Sequence, residues 1–408
     1  MDALAKENEC CIDDGEDMKK LLVIGNGFDL SICAETSYKD FFESKIFEEK
    51  KKQADRWIAL GEKPGNKALG MMVDSECDIN WWDLLFCLES KYDKDFHCRA
   101  KWCDVESVIH HSLVADDMNG FSWGHIFEML LIEYHKRNPQ AGPGPLPHWE
   151  TDLNKVNPKI RSMFIFLMNQ DDIQECSKDI ATFYDRLLEE LKKFELQFGG
   201  YIRECTRKKY YEERARIQAE KLAGLLTEKQ TDEQYQDKLK IDTFNYSEFY
   251  IGLFDIRHVN GDCDDPIFGI DLTEEEEKSR PGVRKFTKTF RRLHQDAHNL
   301  NQNTKWSPEA ADSVVVFGHS LNKMDYDYFH YLFTMLRFNT MDIEKMGSIV
   351  FVYDIYDPEK RDEIRNKQAD SVYALLNDYE KHISGNNQHV LINLLRFSGK
   401  LKIKELPA

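Results

Sequence analysis

Short runs of large aliphatic residues recur along the chain and predict buried strands. Such runs occupy residues 20–24, 239–244, 254–259, 313–317 and 348–353. Continuous apolar runs of this length are typical of parallel strands, because helices cover both faces of a parallel sheet. The pattern therefore predicts an α/β fold with a parallel sheet.

Helical periodicity dominates the long stretch between the first strand and the later ones. Apolar residues recur at three- and four-residue spacing through residues 80–135 and 173–225. The second of these segments contains Gly199-Gly200, where we expect a break between two helices. This helical stretch is too long for one crossover connection, so it predicts an inserted helical layer.

Three further segments carry weaker predictions. Residues 36–46 predict a helix capped by Thr36 or Ser37. Residues 273–281 contain four consecutive glutamates and predict a solvated loop. Residues 390–403 give no clear element. The periodic pattern is too short in this tail to separate helix from strand.

These elements divide the chain into three parts. Residues 1–18 form a polar, acidic leader, which we expect to be disordered. Residues 19–60 and 236–408 predict a Rossmann-like α/β core. Residues 61–235 predict the helical subdomain inserted into that core.

Composition narrows the class of partner. The 408 residues include 55 basic and 73 acidic side chains, which give a net charge of -18. An acidic surface repels nucleic-acid phosphates and anionic membranes, so a small nucleotide or a protein partner is favoured. The leader lacks the apolar core of a signal peptide, and we expect a cytoplasmic protein without a membrane span.

The ten cysteines are scattered and are expected to be reduced thiols. One cluster, His97-Cys98, Cys103 and His110-His111, contains residue types that bind zinc. Its cysteines are five residues apart and no second pair follows at zinc-finger spacing. The sequence therefore predicts no metal site.

The candidate chemistry lies at the ends of four predicted strands. Ligands of open parallel sheets bind in the crevice beyond the carboxyl ends of the strands. Small or polar residues follow the four strands as Gly25-Asn26-Gly27-Phe28-Asp29, Asn245-Tyr246, Asn260-Gly261 and Gly318-His319-Ser320. The pattern predicts that these four clusters line one crevice.

Each cluster suits a particular contact with a nucleotide. Gly25 and Gly27 allow backbone N–H groups to approach phosphates. The Asn245 amide suits a ribose hydroxyl or a water, and His319 titrates near neutral pH. Asp325 lies at the start of the next predicted helix, where a carboxylate is favoured. The alternative is that all of these are ordinary turn and capping residues.

These motifs together resemble a known family. Their order along the chain is similar to that of the abortive-infection AbiH family of bacterial antiphage proteins. The resemblance is carried by Gly25-Asn26-Gly27-Phe28-Asp29-Leu30, Thr36-Ser37-Tyr38, Trp102-Cys103-Asp104-Val105-Glu106, Thr243-Phe244-Asn245-Tyr246, Gly318-His319-Ser320-Leu321 and Asp325. It implies a role in phage defence, with a phage protein as the trigger and a homo-oligomer as a further expectation.

The same order resembles the wider sirtuin-like group, which implies that the crevice binds NAD. In that group an Asn and a His-Gly histidine matter for cleaving the nicotinamide–ribose bond. Asn245 matches the Asn, whereas Asn260 stands where the histidine would be, and an amide is no general base. His258 lies two residues earlier on the same face of the predicted strand and is a substitute.

A hydrolytic mechanism follows as a hypothesis. Asp29 stabilises the positive charge that develops on the ribose or holds the ribose hydroxyls, and Asn245 positions water. His258 or His319 handles the proton. One alternative is a nucleotide-sensing regulator without catalysis, and another is a nuclease effector.

The nuclease alternative is disfavoured on two grounds. The acidic charge opposes DNA or RNA binding, and we find no ordered cluster of carboxylates with a lysine. Asp104 and Glu106 are two positions apart on a predicted helix, so they are expected to point to different faces and not to share a metal.

Overall fold

The structure is a computed structural model, and it describes eleven segments of the chain. These are residues 20–63, 78–92, 104–114, 121–141, 153–226, 239–248, 255–280, 282–298, 312–340, 342–384 and 390–407. The predicted leader and the residues His97, Cys98 and Cys103 lie outside these segments.

The described strands form one parallel sheet. They are β1 (Lys20–Ile24), β2 (Leu239–Thr243), β3 (Asp255–His258), β4 (Ser313–Phe317), β5 (Ser348–Tyr353) and β6 (Leu401–Glu405). Their order is β3-β2-β1-β4-β5-β6, which is the strand order of the Rossmann fold. The prediction of an α/β fold with a Rossmann-like parallel sheet is confirmed. The order reverses between β1 and β4, where such sheets place their ligand crevice.

The helices surround this sheet and continue into a separate layer. In chain order they are α1 (Gly27–Ser31), α2 (Tyr38–Glu43), α3 (Lys45–Gly61), α4 (Trp81–Tyr92), α5 (Asp104–Val114), α6 (Trp123–Arg137), α7 (Pro158–Leu167), α8 (Ile173–Cys176), α9 (Ile180–Thr206), α10 (Lys209–Ala223), α11 (Glu274–Ser279), α12 (Lys288–His298), α13 (Tyr326–Met335), α14 (Arg361–Ser384) and α15 (Val390–Phe397). Within the described residues, no helix is both long enough and apolar enough to cross a bilayer.

Alternation along the strands separates two cores. On β1, Leu22 and Ile24 pack with Phe28 and with residues of α10 such as Ala215. Val23 points to the opposite face and packs with residues of α13, α14 and α15. The central strands are therefore apolar on both faces, which explains why the sequence shows continuous apolar runs.

A third core belongs to the helical layer. It is rich in aromatic side chains, which pack edge to face at centroid distances such as 5.3 Å between Phe41 and Phe198. The periodic residues Leu187, Leu191 and Phe194 of α9 are buried in it, as the helical pattern predicts. Whether this layer is a separate domain stays a prediction.

Two predictions about individual elements are wrong. Helix α9 continues through Gly199-Gly200 to Thr206 without a break. Gly199 is needed for close packing, because a Cβ there would lie 2.2 Å from the Cys263 carbonyl oxygen. The glutamate-rich segment is a helix and not a loop, since the Thr273 and Glu276 side chains form a capping box at its start.

The C-terminal tail, for which the sequence gives no clear element, has regular structure. It contains α15 and then β6, which pairs with β5 at the edge of the sheet. The residues of β6 are mostly exposed and include Lys402 and Lys404. Charged edge strands lack the apolar run that identifies the central strands.

The loops after β1 and β4 touch backbone to backbone at the reversal of strand order. The Gly25 N–H donates to the Phe317 carbonyl at 3.0 Å, and the Gly27 N–H donates to the Gly318 carbonyl at 2.8 Å. A Cβ on Gly25 would lie 2.7 Å from the His319 Cα, and one on Gly27 would lie 2.6 Å from the Gly318 Cα. The glycines therefore allow two loops to meet.

We expect Gly318→Ala to destabilise the protein by more than about 2 kcal/mol. Gly318 has a φ of +68°, and an added Cβ would lie 2.5 Å from the Phe28 nitrogen. Gly399→Ala is the matched control, because Gly399 has a φ of +73° and open space around the position of a Cβ. Chemical denaturation measures both. Equal losses for the two variants would contradict a steric role of the loop contact.

Candidate functional site

A small polar cavity lies at the carboxyl ends of β1, β2 and β4. Its volume is about 120 Å³, which is room for a few waters or one small ring. We call it the polar cavity. Nine predicted site residues line it: Gly25, Asn26, Asp29, Asn245, Tyr246, Asn260, His319, Ser320 and Asp325.

A second and larger cavity adjoins it. This wide cavity has a volume of about 690 Å³ and lies over the ends of β4 and β5, against α14. It shares His319 and Ser320 with the polar cavity, and Gly27 and Gly318 also line it. The two cavities therefore lie on the two sides of the loop that follows β4.

Asp29 is the buried acid of the polar cavity. It lies on α1 and is 1% exposed, and its Oδ1 accepts a hydrogen bond from the Tyr211 hydroxyl at 2.8 Å. Burial raises the pKa of Asp29 to about 6, against the lowering effect of Ser247, Tyr211, Thr36 and Asn245. A carboxyl group with this pKa exchanges a proton near neutral pH, as a general base must.

Two buried polar side chains reach the Asp29 carboxylate without a hydrogen bond of good geometry. Both amide atoms of Asn245 and the hydroxyl of Ser247 make no hydrogen bond of good geometry within the described residues. Both influence the pKa of Asp29, so they lie close to its carboxylate. Because an unpaired buried amide is costly, this arrangement favours a ligand or water that completes its hydrogen bonds.

His319 is held as a neutral donor. Its Nδ1 accepts a hydrogen bond from the Leu321 N–H at 3.0 Å, so the ring proton is on Nε2. Nε2 lies 3.6 Å from Asp325 Oδ2. Burial, against the effect of Asp325, lowers the pKa of His319 to about 4. His319 therefore has no free lone pair with which to accept a proton at neutral pH.

His258 has the opposite tautomer but lies elsewhere. Its Nδ1 is 3.0 Å from the Asn245 carbonyl oxygen, which requires the proton on Nδ1 and leaves Nε2 as an acceptor. His258 lines neither the polar nor the wide cavity. The strand β3 ends at His258, and the chain then turns so that Asn260 lines the cavity while His258 does not. Of these two residues, only Asn260 is thus brought to the polar cavity.

Asn260 is oriented by a cation. Its Oδ1 accepts a hydrogen bond from the Arg292 guanidinium, and its carbonyl accepts one from the Ile267 N–H at 2.9 Å. The amide NH₂ of Asn260 is thus the group of this side chain that can donate a hydrogen bond to a ligand. A donor at this position suits a ribose hydroxyl or a carboxamide oxygen.

A buried ion cluster forms another wall of the polar cavity. Lys288 Nζ lies 2.7 Å from Asp325 Oδ1 and 3.0 Å from Glu106 Oε2. Burial raises the pKa of Glu106, whereas for Asp325 the effect of burial is outweighed by Lys288, His319 and Arg292 together, so its pKa is lowered. Residues distant in sequence build this carboxylate–lysine cluster, so no ordered motif in the sequence marks it.

This cluster does not resemble an open metal site. Lys288 lies between the two carboxylates, so a metal ion would have to displace an ammonium group. Among the described residues, a group that could hold a metal consists of Glu248, Cys263 and Asp264. It lies outside the lining of both cavities, and Asp264 pairs with Arg203.

Two predicted site residues have structural roles. Phe28 is fully buried in the core under β1, and Gly261 has a φ of +80° with its Cα against the Asp265 carbonyl. Neither lines the polar cavity or the wide cavity. The N–H groups of Gly25 and Gly27 are bonded to the β4 loop, so they do not face a phosphate as expected.

Sequence reasoning missed Tyr211, Lys288 and Asp354. Asp354 follows β5 directly and lines the wide cavity, so the rule on strand ends could have found it. Tyr211 and Lys288 lie on helices, 182 residues from Asp29 and 37 residues from Asp325. No local pattern marks such positions.

The comparisons with known proteins agree with the motif order. Searches of curated proteins and of solved structures each gave no significant match. The model of one family, bacteriophage abortive infection AbiH, matches residues 21–344. This match covers most of the chain, from β1 past α13, and includes every residue that lines the polar cavity. The chain therefore belongs to the bacteriophage abortive infection AbiH family.

Proposed function

We propose that this crevice binds NAD or a related nucleotide and hydrolyses its N-glycosidic bond as part of an abortive-infection response. One observation carries the proposal. A buried carboxylate, Asp29, with a pKa of about 6 lies next to the amide of Asn245, whose atoms make no hydrogen bond of good geometry among the described residues. This is the combination that activates and positions a water molecule in a closed site.

The charge of the polar cavity favours a cationic group. Asp29, Glu106 and Asp325 are acidic, Lys288 is the single base that lines the cavity among the described residues, and His319 is neutral. The excess of negative charge attracts a pyridinium ring and the cationic ribose that forms as its bond breaks. The same charge repels phosphate, so the phosphates belong outside this cavity.

The wide cavity supplies the space for the remainder of a dinucleotide. Asp354 lies at the carboxyl end of β5 and can accept hydrogen bonds from a ribose diol. Lys367 on α14 offers a positive charge to phosphate, and Tyr356 offers an aromatic ring to a base. NAD would then pass over Ser320, which lines both cavities.

The reaction follows from these positions. Asn245 holds a water, and Asp29 takes a proton from it as the water oxygen bonds to the ribose C1′. The bond from C1′ to the nicotinamide nitrogen breaks, and its electron pair neutralises the ring. Nicotinamide and ADP-ribose leave, and Asp29 returns the proton to solvent. Because neither histidine is placed to accept the proton, Asp29 takes the role first expected of His258 or His319.

We expect the purified protein, with phage lysate if a trigger is required, to release nicotinamide from NAD. Asp29→Asn should reduce the rate by at least about 100-fold, since it removes the base. Asn245→Ala should reduce it by a similar factor. Chromatography of nicotinamide and ADP-ribose measures both products.

Asp83→Asn is the matched control for this experiment. Asp83 is also buried, with a pKa that burial raises to about 6, but it lies on α4 and lines neither cavity. Its substitution should leave the rate unchanged. NAD that binds without release of nicotinamide would support a sensor instead, and NAD that does not bind at all would contradict the proposal.

The protein should become more stable when Asp29 is neutralised. The pKa of Asp29 in the folded state is about 6, above its usual 3.8, so stability falls as pH rises from about 4 to about 6. Asp29→Asn avoids this loss and should stabilise the fold by up to about 3 kcal/mol at pH 7.5. The gain should vanish at pH 4. Urea unfolding at the two pH values measures it, and a loss of stability at pH 7.5 would show that the carboxylate has a structural role.

A further inference from the structure

Helix α10 is attached to α1 along one of its faces. Tyr211 donates to Asp29, Arg214 donates to the Ile32 carbonyl at 3.1 Å, and Gln218 donates to the Ser31 hydroxyl at 3.1 Å. The spacing of three and four residues places these side chains on the same side of the helix. Of the three contacts, Tyr211 makes the one that reaches the acid of the polar cavity.

The hydrogen bond from Tyr211 distinguishes between the two forms of Asp29. An ionised carboxylate accepts a phenol O–H more strongly than a neutral carboxyl group does, so this bond favours the charged form. Burial, together with the charge of Asp29, raises the pKa of Tyr211 well above its ordinary value. Tyr211 therefore stays protonated and acts as a donor.

Glu106, Lys288, His319 and Asp325 line the same cavity, but the other side chains that lower the pKa of Asp29 do not titrate. They are Thr36 from the loop after α1, and Asn245 and Ser247 from the loop after β2. Among the side chains that lower the pKa of Asp29, Tyr211 is therefore the one that lies on a helix of the long segment between β1 and β2. The others lie on loops next to the sheet.

We propose that Tyr211 is a positioning residue that holds Asp29 in its ionised form, so that helix α10 controls the charge of the polar cavity. A displacement of α10 would remove the donor, and Asp29 would take up a proton at neutral pH. The cavity would then lose its base and part of its attraction for a cation. The role of Tyr211 in the reaction rests on the proposed function, but the test measures stability and requires no catalysis.

The test is the pH dependence of stability of the full chain. In the wild type, the fall of stability with rising pH should end near pH 6, at the pKa of Asp29. Tyr211→Phe keeps the buried ring and removes the donor. In this variant the stability should continue to fall for about one further pH unit. This is the increase in the pKa of Asp29 that corresponds to the loss of one hydrogen bond to a charged group.

Two controls separate this effect from a general loss of packing. Gln218→Met removes a hydrogen bond from the same face of α10 without touching Asp29, and it should leave the end of the fall near pH 6. In the Asp29→Asn background, Tyr211→Phe should change stability equally at all pH values. The proposal would be overturned if Tyr211→Phe still changed the pH dependence of stability in the Asp29→Asn background. It would also be overturned if the pH dependence of Tyr211→Phe alone matched that of the wild type.

A modified residue provides the opposite perturbation. Replacing Tyr211 by 3-fluorotyrosine makes the phenol a stronger donor with little change of shape, so the fall should end below pH 6. This variant keeps the test decisive if Tyr211→Phe does not fold. An unchanged or upward-shifted end point with fluorotyrosine would contradict the proposal, whereas failure of NAD cleavage alone would count only against the proposed function.

Discussion

The backbone contact between the loops after β1 and β4 is the constraint on which the site depends. Gly25, Gly27 and Gly318 let the two loops meet with hydrogen bonds of 2.8 and 3.0 Å. This contact fixes Asn26 and Asp29 on one side and His319 and Ser320 on the other. The glycines therefore bring the two loops together, and the residues at the strand ends line the polar cavity beside this contact.

The polar cavity is stabilised by hydrogen bonds and charge pairs that come from outside the sheet. Lys288 joins Glu106 of α5 to Asp325, and Arg292 of α12 binds Asn260. Carboxylates removed from water are costly unless such partners offset the loss of hydration. The side chains of Asn245 and Ser247 make no hydrogen bond of good geometry among the described residues, although both lower the pKa of Asp29.

The sheet could be predicted from the sequence because its central strands are buried on both faces. The bounds of β1, β4 and β5 coincide with the predicted apolar runs. The edge strand β6 could not be identified, because its charged residues face solvent and hide the strand pattern. Gly199 misled the prediction for a related reason, since the close approach of Cys263 that requires a glycine comes from a distant part of the chain.

The site was predictable only where it follows from the strand ends. Eight residues that line the polar cavity follow from that rule, whereas Glu106 and Lys288 reach the cavity from helices, and Tyr211 reaches Asp29 from a third helix. The rule gives a position on the chain but not the direction of a side chain or its tautomer, so it did not separate His258 from Asn260. The helices of the long segment after β1 thus do more than cover the sheet. They supply the donor to Asp29 and one carboxylate of the ion cluster, so the sheet alone would contain an incomplete site.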